Sequence, residues 1–135
     1  MWITIVIVEG NKMNKLNISE AELEVMKVLW DFGEVTSAEI VEKVSEKNEW
    51  SPKTIRTLIN RLVEKSFVID EKTETKAYLY KAGITKEEYR SYANKNFLKK
   101  VYDGSLNMML ASFVKEAKLT EKDIEELKNI LEKKS

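Results

Sequence analysis

The chain of 135 residues contains no cysteine and no histidine, and only four glycines and one proline. Without cysteine and histidine it cannot form a disulfide, a thiol nucleophile, a Cys/His zinc site or a Ser-His-Asp catalytic triad. Four glycines leave little capacity for a glycine-rich phosphate-binding loop. Carboxylates and lysines, the remaining candidates for catalysis, occur in no recognisable catalytic motif. We therefore expect a protein that is not an enzyme and needs no metal or cofactor.

The sequence also has no hydrophobic run long enough to cross a bilayer. Its β-prone apolar stretch, residues 2–8, lacks both the basic start and the small-residue cleavage site of a signal peptide. One interpretation of this stretch is an additional edge strand. We favour another, in which Met13 is the natural start, because the codons of Glu9 and Gly10 can form a ribosome-binding site ahead of it. We therefore treat residues 1–15 as an extension and expect a cytoplasmic protein without membrane insertion.

The net charge is zero, which by itself does not suggest a nucleic-acid partner, but the charges are unevenly distributed. Residues 51–81 carry seven lysines and arginines against four acids, whereas residues 9–50 carry five against ten. The positive charge is therefore concentrated in one part of the chain, which is the first candidate for a binding surface.

Residues 51–66 within that part predict a helix with two different faces. Ser51 suits the N-cap position, and Pro52 suits the first helical position, where no backbone N–H is needed. The apolar face recurs at helical spacing and consists of Ile55, Leu58, Ile59 and Leu62. The opposite face combines basic, hydroxyl and amide side chains, namely Lys53, Thr54, Arg56, Thr57, Asn60 and Arg61. Such a face is also found on solvated helices, but its contact-capable residues in the first turns favour a DNA recognition helix.

The elements around this helix predict a winged helix-turn-helix domain. Capping boxes at residues 19–22 and 36–39 open two earlier helices, which we expect to end near Asp31 and Val44. Strand-like runs at residues 67–71 and 76–81 flank a polar turn without glycine, so the type of turn stays open. We assign residues 16–83 to this domain, with Lys72 and Lys76 in the wing beside the DNA backbone. The predicted inward side chains of the two earlier helices are Leu23, Met26, Leu29, Trp30, Ile40, Val41 and Val44.

Residues 84–135 predict three further helices, so the fold class is mainly α with a small β-hairpin. Their starts are marked by a third capping box at residues 85–88, by Ser105, and by Thr120 with Asp123. Such short helices cannot bury their apolar stripes alone, so we predict a helical dimerisation region. Packing back onto the winged helix of the same chain is the alternative. The predicted dimer contacts are Tyr89, Tyr92, Phe97, Val101, Leu106, Met109, Leu110, Phe113, Ile124, Leu127 and Leu131.

Several segments closely resemble the BlaI/MecI family of penicillinase and methicillin-resistance repressors. The most specific segment is the string WSPKTIRTLI at residues 50–59. The others are residues 18–26, 29–30, 61–62, 96–98, 101–102, 104 and 124–131. The resemblance implies a homodimeric winged-helix transcriptional repressor of antibiotic-resistance genes. It also implies binding to inverted repeats in operator DNA, typically with TACA/TGTA half-sites.

The resemblance also implies roles for individual residues. It implies base contacts from Lys53, Thr54 and Arg56. It implies phosphate contacts from Ser51, Arg61 and the wing lysines Lys72 and Lys76. We add Thr57 to the base contacts, and Ser37 and Asn60 to the phosphate contacts.

How such a repressor is released from DNA differs within the family. Copper-responsive relatives use cysteines, which this chain lacks. Relatives that respond to β-lactams are cut by a membrane sensor protease at an Asn-Phe bond, which aligns with Ser112-Phe113 here, where serine replaces asparagine. Two other interpretations remain open. One is a regulator that binds a small effector in a pocket between the two halves of the chain, lined by Trp30, Tyr89 and Tyr92. The other is a winged-helix protein-interaction module, whose outer helix face would more often be acidic or apolar.

Overall fold

The computed structural model describes residues 17–134. Its elements, in chain order, are α1 (Glu20–Phe32), α2 (Ser37–Ser45), α3 (Pro52–Glu64), β1 (Val68–Lys72), β2 (Tyr78–Ala82), α4 (Lys86–Tyr102), α5 (Leu106–Glu116) and α6 (Glu121–Lys134). The order of helices and strands and the mainly α fold with one hairpin agree with the prediction. The edge strand considered for residues 2–8 and the start at Met13 lie outside the described residues.

The chain divides into two compact units, and the division falls inside α4, between Tyr92 and Ala93. The expected boundary between domains was nine residues earlier, after residue 83. Tyr89 and Tyr92, in the first turns of α4, pack against the core of the first unit.

The core of the first unit lies between α1, α2, α3 and the hairpin. All four residues of the predicted apolar face of α3 are buried, as are Ile40 and Val44 of α2. In α1 the buried apolar residues are Val25, Met26, Val28 and Leu29. Leu23 and Trp30 of α1 and Val41 of α2, also predicted on the inward faces, are half-buried and pack against the margin of the core.

Hydrogen bonds of the predicted capping boxes mark the starts of the helices. At the start of α1, the Ser19 backbone N–H donates to Glu22 Oε1 (2.9 Å), and the Glu22 N–H donates to Ser19 Oγ (3.1 Å). Reciprocal pairs of the same kind open α2, α4 and α6. These caps satisfy backbone donors that have no partner within the helix.

The end of α3 is a Schellman motif. The Phe67 N–H donates to the Leu62 carbonyl (2.9 Å), the Ser66 N–H donates to the Val63 carbonyl (3.0 Å), and Ser66 has φ +70°. Gly83 lies against this turn, and a β-carbon at Gly83 would be 2.8 Å from the Ser66 carbonyl oxygen. The absence of a side chain at Gly83 therefore allows β2 to approach the end of α3.

The hairpin pairs Val68 with Ala82 and Lys72 with Tyr78 at the two ends of an antiparallel register. Its loop is closed by the Thr73 N–H on the Ala77 carbonyl (2.8 Å) and the Lys76 N–H on the Thr73 carbonyl (3.1 Å). Lys76 has φ +69°. The type of this turn did not follow from the sequence. It is a three-residue loop whose last residue has the left-handed conformation, a position where glycine is usual.

The second unit has a different character from the first. No residue of α5 or α6 is buried, and neither is any residue of α4. Phe97, Tyr102 and Phe113 form a small aromatic cluster with ring centroids 5.7 to 6.3 Å apart. Within the described chain, most exposed large apolar side chains belong to this unit: Phe97, Val101, Leu106, Met108, Leu110, Phe113, Val114, Ile124, Leu127, Ile130 and Leu131.

Candidate nucleic-acid interface

The outer face of α3 is the candidate for contact with nucleic acid. At about 100° per residue, the four buried residues of α3 occupy one arc and the predicted contact residues occupy the opposite arc. All of the predicted contact residues on α3 are exposed: Lys53, Thr54, Arg56, Thr57, Asn60 and Arg61. The helix therefore presents three cations, two threonine side chains and an amide on a single surface.

The start of α3 differs electrostatically from the starts of α1 and α2. Those two helices carry acids in their first turns, whereas the first turn of α3 has none. Ser51 Oγ accepts the Thr54 N–H (3.2 Å) and lies 3.0 Å from Thr54 Oγ1. The positive end of the α3 dipole is thus not neutralised by a side chain, which favours an anion there.

Thr57 is constrained by a hydrogen bond within α3. Its hydroxyl donates to the Lys53 carbonyl at 3.0 Å. The donor of Thr57 is therefore occupied, and what Thr57 presents outward is its methyl group and the lone pairs of its oxygen. Methyl groups of this kind can contact the 5-methyl group of thymine in the major groove.

The far end of α3 is anchored by a salt bridge that sequence reasoning missed. Lys65 Nζ donates to both Glu22 carboxylate oxygens (2.8 and 3.0 Å) and to the Asn17 carbonyl (3.1 Å). Glu22 is only 1% exposed and is the one buried charged residue in the described chain. Burial alone would raise the pKa of Glu22, but hydrogen bonds from Lys65 and Ser19 and the Lys65 charge outweigh it, so the pKa lies below its ordinary value.

The hairpin carries a mixed charge. Its exposed lysines are Lys72, Lys76 and Lys81, and its exposed acids are Asp70, Glu71 and Glu74. Lys72 is the last residue of β1 and Lys76 lies in the loop, so both predicted wing lysines are exposed at or near the tip. The net charge of the hairpin is zero, so its contribution to DNA binding would depend on the positions of individual lysines.

The remaining predicted site residues lie in different environments. Ser37 is the first residue of α2 and is half-buried beside the N-cap Thr36. Tyr89 and Tyr92, predicted as dimer contacts, are half-buried against the core of their own unit. The other predicted dimer contacts lie on α4, α5 and α6 and are exposed, except for half-buried Met109. Ser112 lies within α5, where its Oγ accepts the Tyr102 hydroxyl (3.2 Å).

Two further observations concern metals and membranes. No group of acidic side chains among residues 17–134 is arranged to hold a metal ion. None of the helices from α1 to α6 is long and apolar enough to cross a membrane.

A family model described as penicillinase repressor matches residues 18–133. The methicillin resistance regulatory protein MecI of Staphylococcus aureus is 42% identical over 87% of this chain and 94% of its own length. The penicillinase repressor of Bacillus licheniformis is 36% identical over 85% of this chain and 89% of its own.

Among solved structures, MepR, a transcription regulator of the Staphylococcus aureus multidrug efflux pump MepA, matches with a TM-score of 0.50. The match covers 98% of this chain and 87% of MepR at 14% identity, and it shows a likeness of fold alone. The family model and the two relatives each cover most of the sequence. The chain therefore belongs to the penicillinase repressor family, whose members are transcriptional repressors and not enzymes.

Proposed function

We propose that this protein is a DNA-binding repressor of antibiotic-resistance genes that reads its operator with α3. The observation that carries the proposal is the outer face of α3, where three cations and two threonines are exposed together opposite a fully buried face. A recognition helix uses such side chains to contact base edges in the major groove. Family membership and the names of the relatives support the repressor function.

The residues of α3 divide into two roles in this proposal. Arg56, Lys53, Thr54 and Thr57 contact base edges, with Arg56 suited to guanine through its two parallel donors. Ser51, Asn60 and Arg61 bind phosphates, as do Ser37 at the start of α2 and the wing residues Lys72 and Lys76. Phosphate contacts supply much of the affinity and its salt dependence, and base contacts supply the specificity.

The basic outer face also favours DNA over a protein partner. Among its charged residues, Lys53, Arg56 and Arg61 are opposed only by Glu64 at the far end of α3. A surface of this composition, at a helix start that has no acidic side chain in its first turn, fits a polyanion.

The second unit is proposed to form a homodimer. Its helices leave large apolar side chains exposed, including Ile130 (62%) and Leu131 (64%). Exposed apolar patches of this kind mark interaction surfaces. A two-fold dimer would present two α3 helices to half-sites about 34 Å apart, one turn of DNA, and would therefore require a palindromic operator. The bound dimer would then block access of RNA polymerase to an overlapping promoter.

Release from DNA by a membrane sensor protease is proposed at the Ser112-Phe113 bond. This bond lies in the interior of α5, and the Phe113 carbonyl accepts the Ala117 N–H at 2.9 Å. Cleavage there would require α5 to unwind locally, since a helical peptide bond is not presented in the extended form that proteases bind. If the purified repressor stays intact when incubated with its induced cognate sensor, this route is excluded.

The function is tested with two arginine variants on two DNA duplexes, the region upstream of the protein's own gene and a scrambled sequence. Arg56→Ala is expected to lose about 1 to 3 kcal/mol on the operator and little on scrambled DNA, because a base contact is specific. Arg61→Ala is expected to weaken binding to both duplexes alike and to reduce the salt slope by about 1.

The control is Lys95→Ala, which removes an exposed cation on α4 outside the proposed contacts and is expected to leave both affinities unchanged. Isotherms recorded by fluorescence anisotropy at two salt concentrations give all of these values. Equal losses on operator and scrambled DNA for Arg56→Ala would contradict the proposed reading of bases by α3.

A further inference from the structure

A cleft of about 450 Å³ lies within the first unit, between α1, the end of α2 and the first turns of α4. Its volume is in the range of small-molecule sites, about 300 to 1,000 Å³. Its apolar wall includes Leu23 and Val28 together with the rings of Trp30 and Tyr89, whose centroids are 5.7 Å apart. A flat or apolar ligand could therefore pack against this wall.

The rim of the cleft is strongly charged and has more cations than acids. Its charged residues are Lys27, Lys43, Lys47, Lys86 and Arg90, with Glu24, Asp31 and Glu46. Two of the lysines are paired, Lys27 with Glu24 (3.2 Å) and Lys43 with Glu46 (3.8 Å). Lys47, Lys86 and Arg90 have no ion pair within the part of the chain that the structure describes. Five cations against three acids give the rim an excess of two positive charges.

Tyr89 adds an unused hydrogen-bond donor. Its hydroxyl has no hydrogen-bond partner among residues 17–134, whereas the Trp30 indole N–H donates to the Ile84 carbonyl (2.9 Å). Burial raises the pKa of Tyr89, Tyr92 raises it further, and Lys27 lowers it in part. The phenol is therefore protonated at neutral pH and can donate to a ligand oxygen.

We propose that this cleft binds small organic anions with an aromatic body, such as aromatic carboxylates. The aromatic body packs against Trp30 and Tyr89, and the anionic group is held by the unpaired cations of the rim. Purely apolar molecules lack the second interaction, and inorganic anions lack the first. The chemistry of the cleft therefore selects a ligand that has both features.

The position of the cleft links it to α3. Val44, Lys47 and Asn48 line it, and the Asn48 side-chain amide donates to the Val44 carbonyl (3.1 Å). Ser51, the N-cap of α3, follows three residues after Asn48. Ligand contact with residues 44–48 would favour one conformation of the segment that leads into α3. Ligand binding and operator binding are therefore coupled. This coupling rests on the proposed function, whereas ligand binding does not.

Binding is tested with the full chain in the absence of DNA, using 2-naphthoate as the probe and the uncharged 2-naphthalenemethanol as its control. The readout is the NMR signal of the Trp30 indole N–H, measured against an inert chemical-shift standard added to the sample. We expect 2-naphthoate to shift the Trp30 signal saturably with a Kd of about 1 mM, as for other ligands of this size. The alcohol should bind at least about tenfold more weakly because it lacks the charge.

Two double variants with equal changes of charge complete the test. Lys47→Glu with Arg90→Glu is expected to weaken 2-naphthoate about tenfold or more, because both cations line the cleft. Lys95→Glu with Lys99→Glu alters two exposed cations of α4 outside the cleft and should leave the Kd unchanged. Equal binding of acid and alcohol, or equal Kd values for the two double variants, would overturn the proposal.

Coupling is tested by repeating the titration with operator DNA bound. The Kd of 2-naphthoate should change by about fivefold or more, since coupled sites affect each other reciprocally. An unchanged Kd would refute the coupling, and failure to bind operator at all would instead contradict the proposed function.

Discussion

At the level of single residues, the contact between Glu22 and Lys65 fixes two helix ends at once. Glu22 caps the start of α1 through Ser19 and receives Lys65 from the end of α3. A buried carboxylate left without its cation is costly, because burial disfavours its charged form. The contact therefore holds the end of α3 against the N-terminus of α1.

Lys65→Met is expected to lower the free energy of unfolding by about 2 kcal/mol at pH 7. The loss would be larger if Lys65 were fully buried, since solvent screens its charge in part. The pKa of Glu22 is depressed in the folded protein, so its stabilisation is present above the unfolded-state pKa of about 4.3 and is lost as pH falls through the folded value. Lys65→Met removes the lowering by Lys65, so the pKa of Glu22 in the folded variant is expected to lie above that in the wild type. The difference between variant and wild type should therefore shrink as the pH falls toward 3.

Urea unfolding at several pH values and one fixed protein concentration measures this difference. The matched control is Lys27→Met, which removes the exposed partner of Glu24 and should cost no more than about 0.5 kcal/mol. A Lys65→Met loss as small as that of the control, or one independent of pH, would contradict the assigned role of the contact.

The two residues of this contact were not equally predictable from the sequence. Glu22 falls at helical spacing with Val25, Met26 and Leu29, so a charged residue on the core side of α1 could have been noticed. Its partner lies 43 residues away, and no local pattern identifies it. The same is true of the Trp30 indole on the Ile84 carbonyl, 54 residues apart. Long-range polar contacts depend on the completed fold.

At the level of elements, the helices of the first unit were predictable because their signals are local. Capping boxes involve residues three apart, and the two faces of α3 follow from helical periodicity over its 13 residues. The hairpin loop was less predictable, since the left-handed position that usually holds glycine is occupied by Lys76. The cleft was unpredictable in shape, because three separate helices form it.

Two substitutions of Lys76, in the loop of the hairpin, distinguish its effect on stability from its effect on DNA binding. Lys76→Gly should raise the free energy of unfolding by about 1 kcal/mol, because glycine adopts a positive φ without steric cost. Lys76→Ala should leave stability nearly unchanged, since alanine has the same steric restriction as lysine. Both variants remove the proposed phosphate contact and should weaken operator binding equally.

Thermal melts and operator isotherms of the two variants test these expectations together. A gain of stability in both would show that the charge of Lys76, and not its backbone conformation, is unfavourable in the folded protein. Unchanged operator affinity in both would remove Lys76 from the proposed wing contacts.

At the level of the whole molecule, the two units differ in how completely they bury their apolar side chains. The first has a continuous core in which fifteen apolar side chains are buried, whereas α4, α5 and α6 have no buried residue. Sequence periodicity predicted apolar stripes in both units. It could not identify which stripes find partners within the chain, because that depends on tertiary packing.

The unburied stripe of α6 leads to the last prediction, which concerns the oligomeric state. Leu127→Asp combined with Leu131→Asp introduces two charges, one turn apart, on the apolar face of α6. Charges buried at an interface without partners are strongly unfavourable, so the dimer should weaken by at least about 3 kcal/mol, more than a hundredfold in Kd. Asn129→Asp, on the opposite side of the same helix, introduces a charge without touching that face and should leave the dimer intact.

Sedimentation equilibrium distinguishes the two states directly, since the monomer has a mass of 15.7 kDa and the dimer twice that value. The double variant should sediment as a monomer while its far-UV circular dichroism stays helical. It should also bind a single half-site as the wild type does but lose its advantage on the full palindrome, because only a dimer engages both half-sites at once. A double variant that remains dimeric would show that α6 lies outside the dimer interface. A monomeric wild type would contradict the homodimer itself.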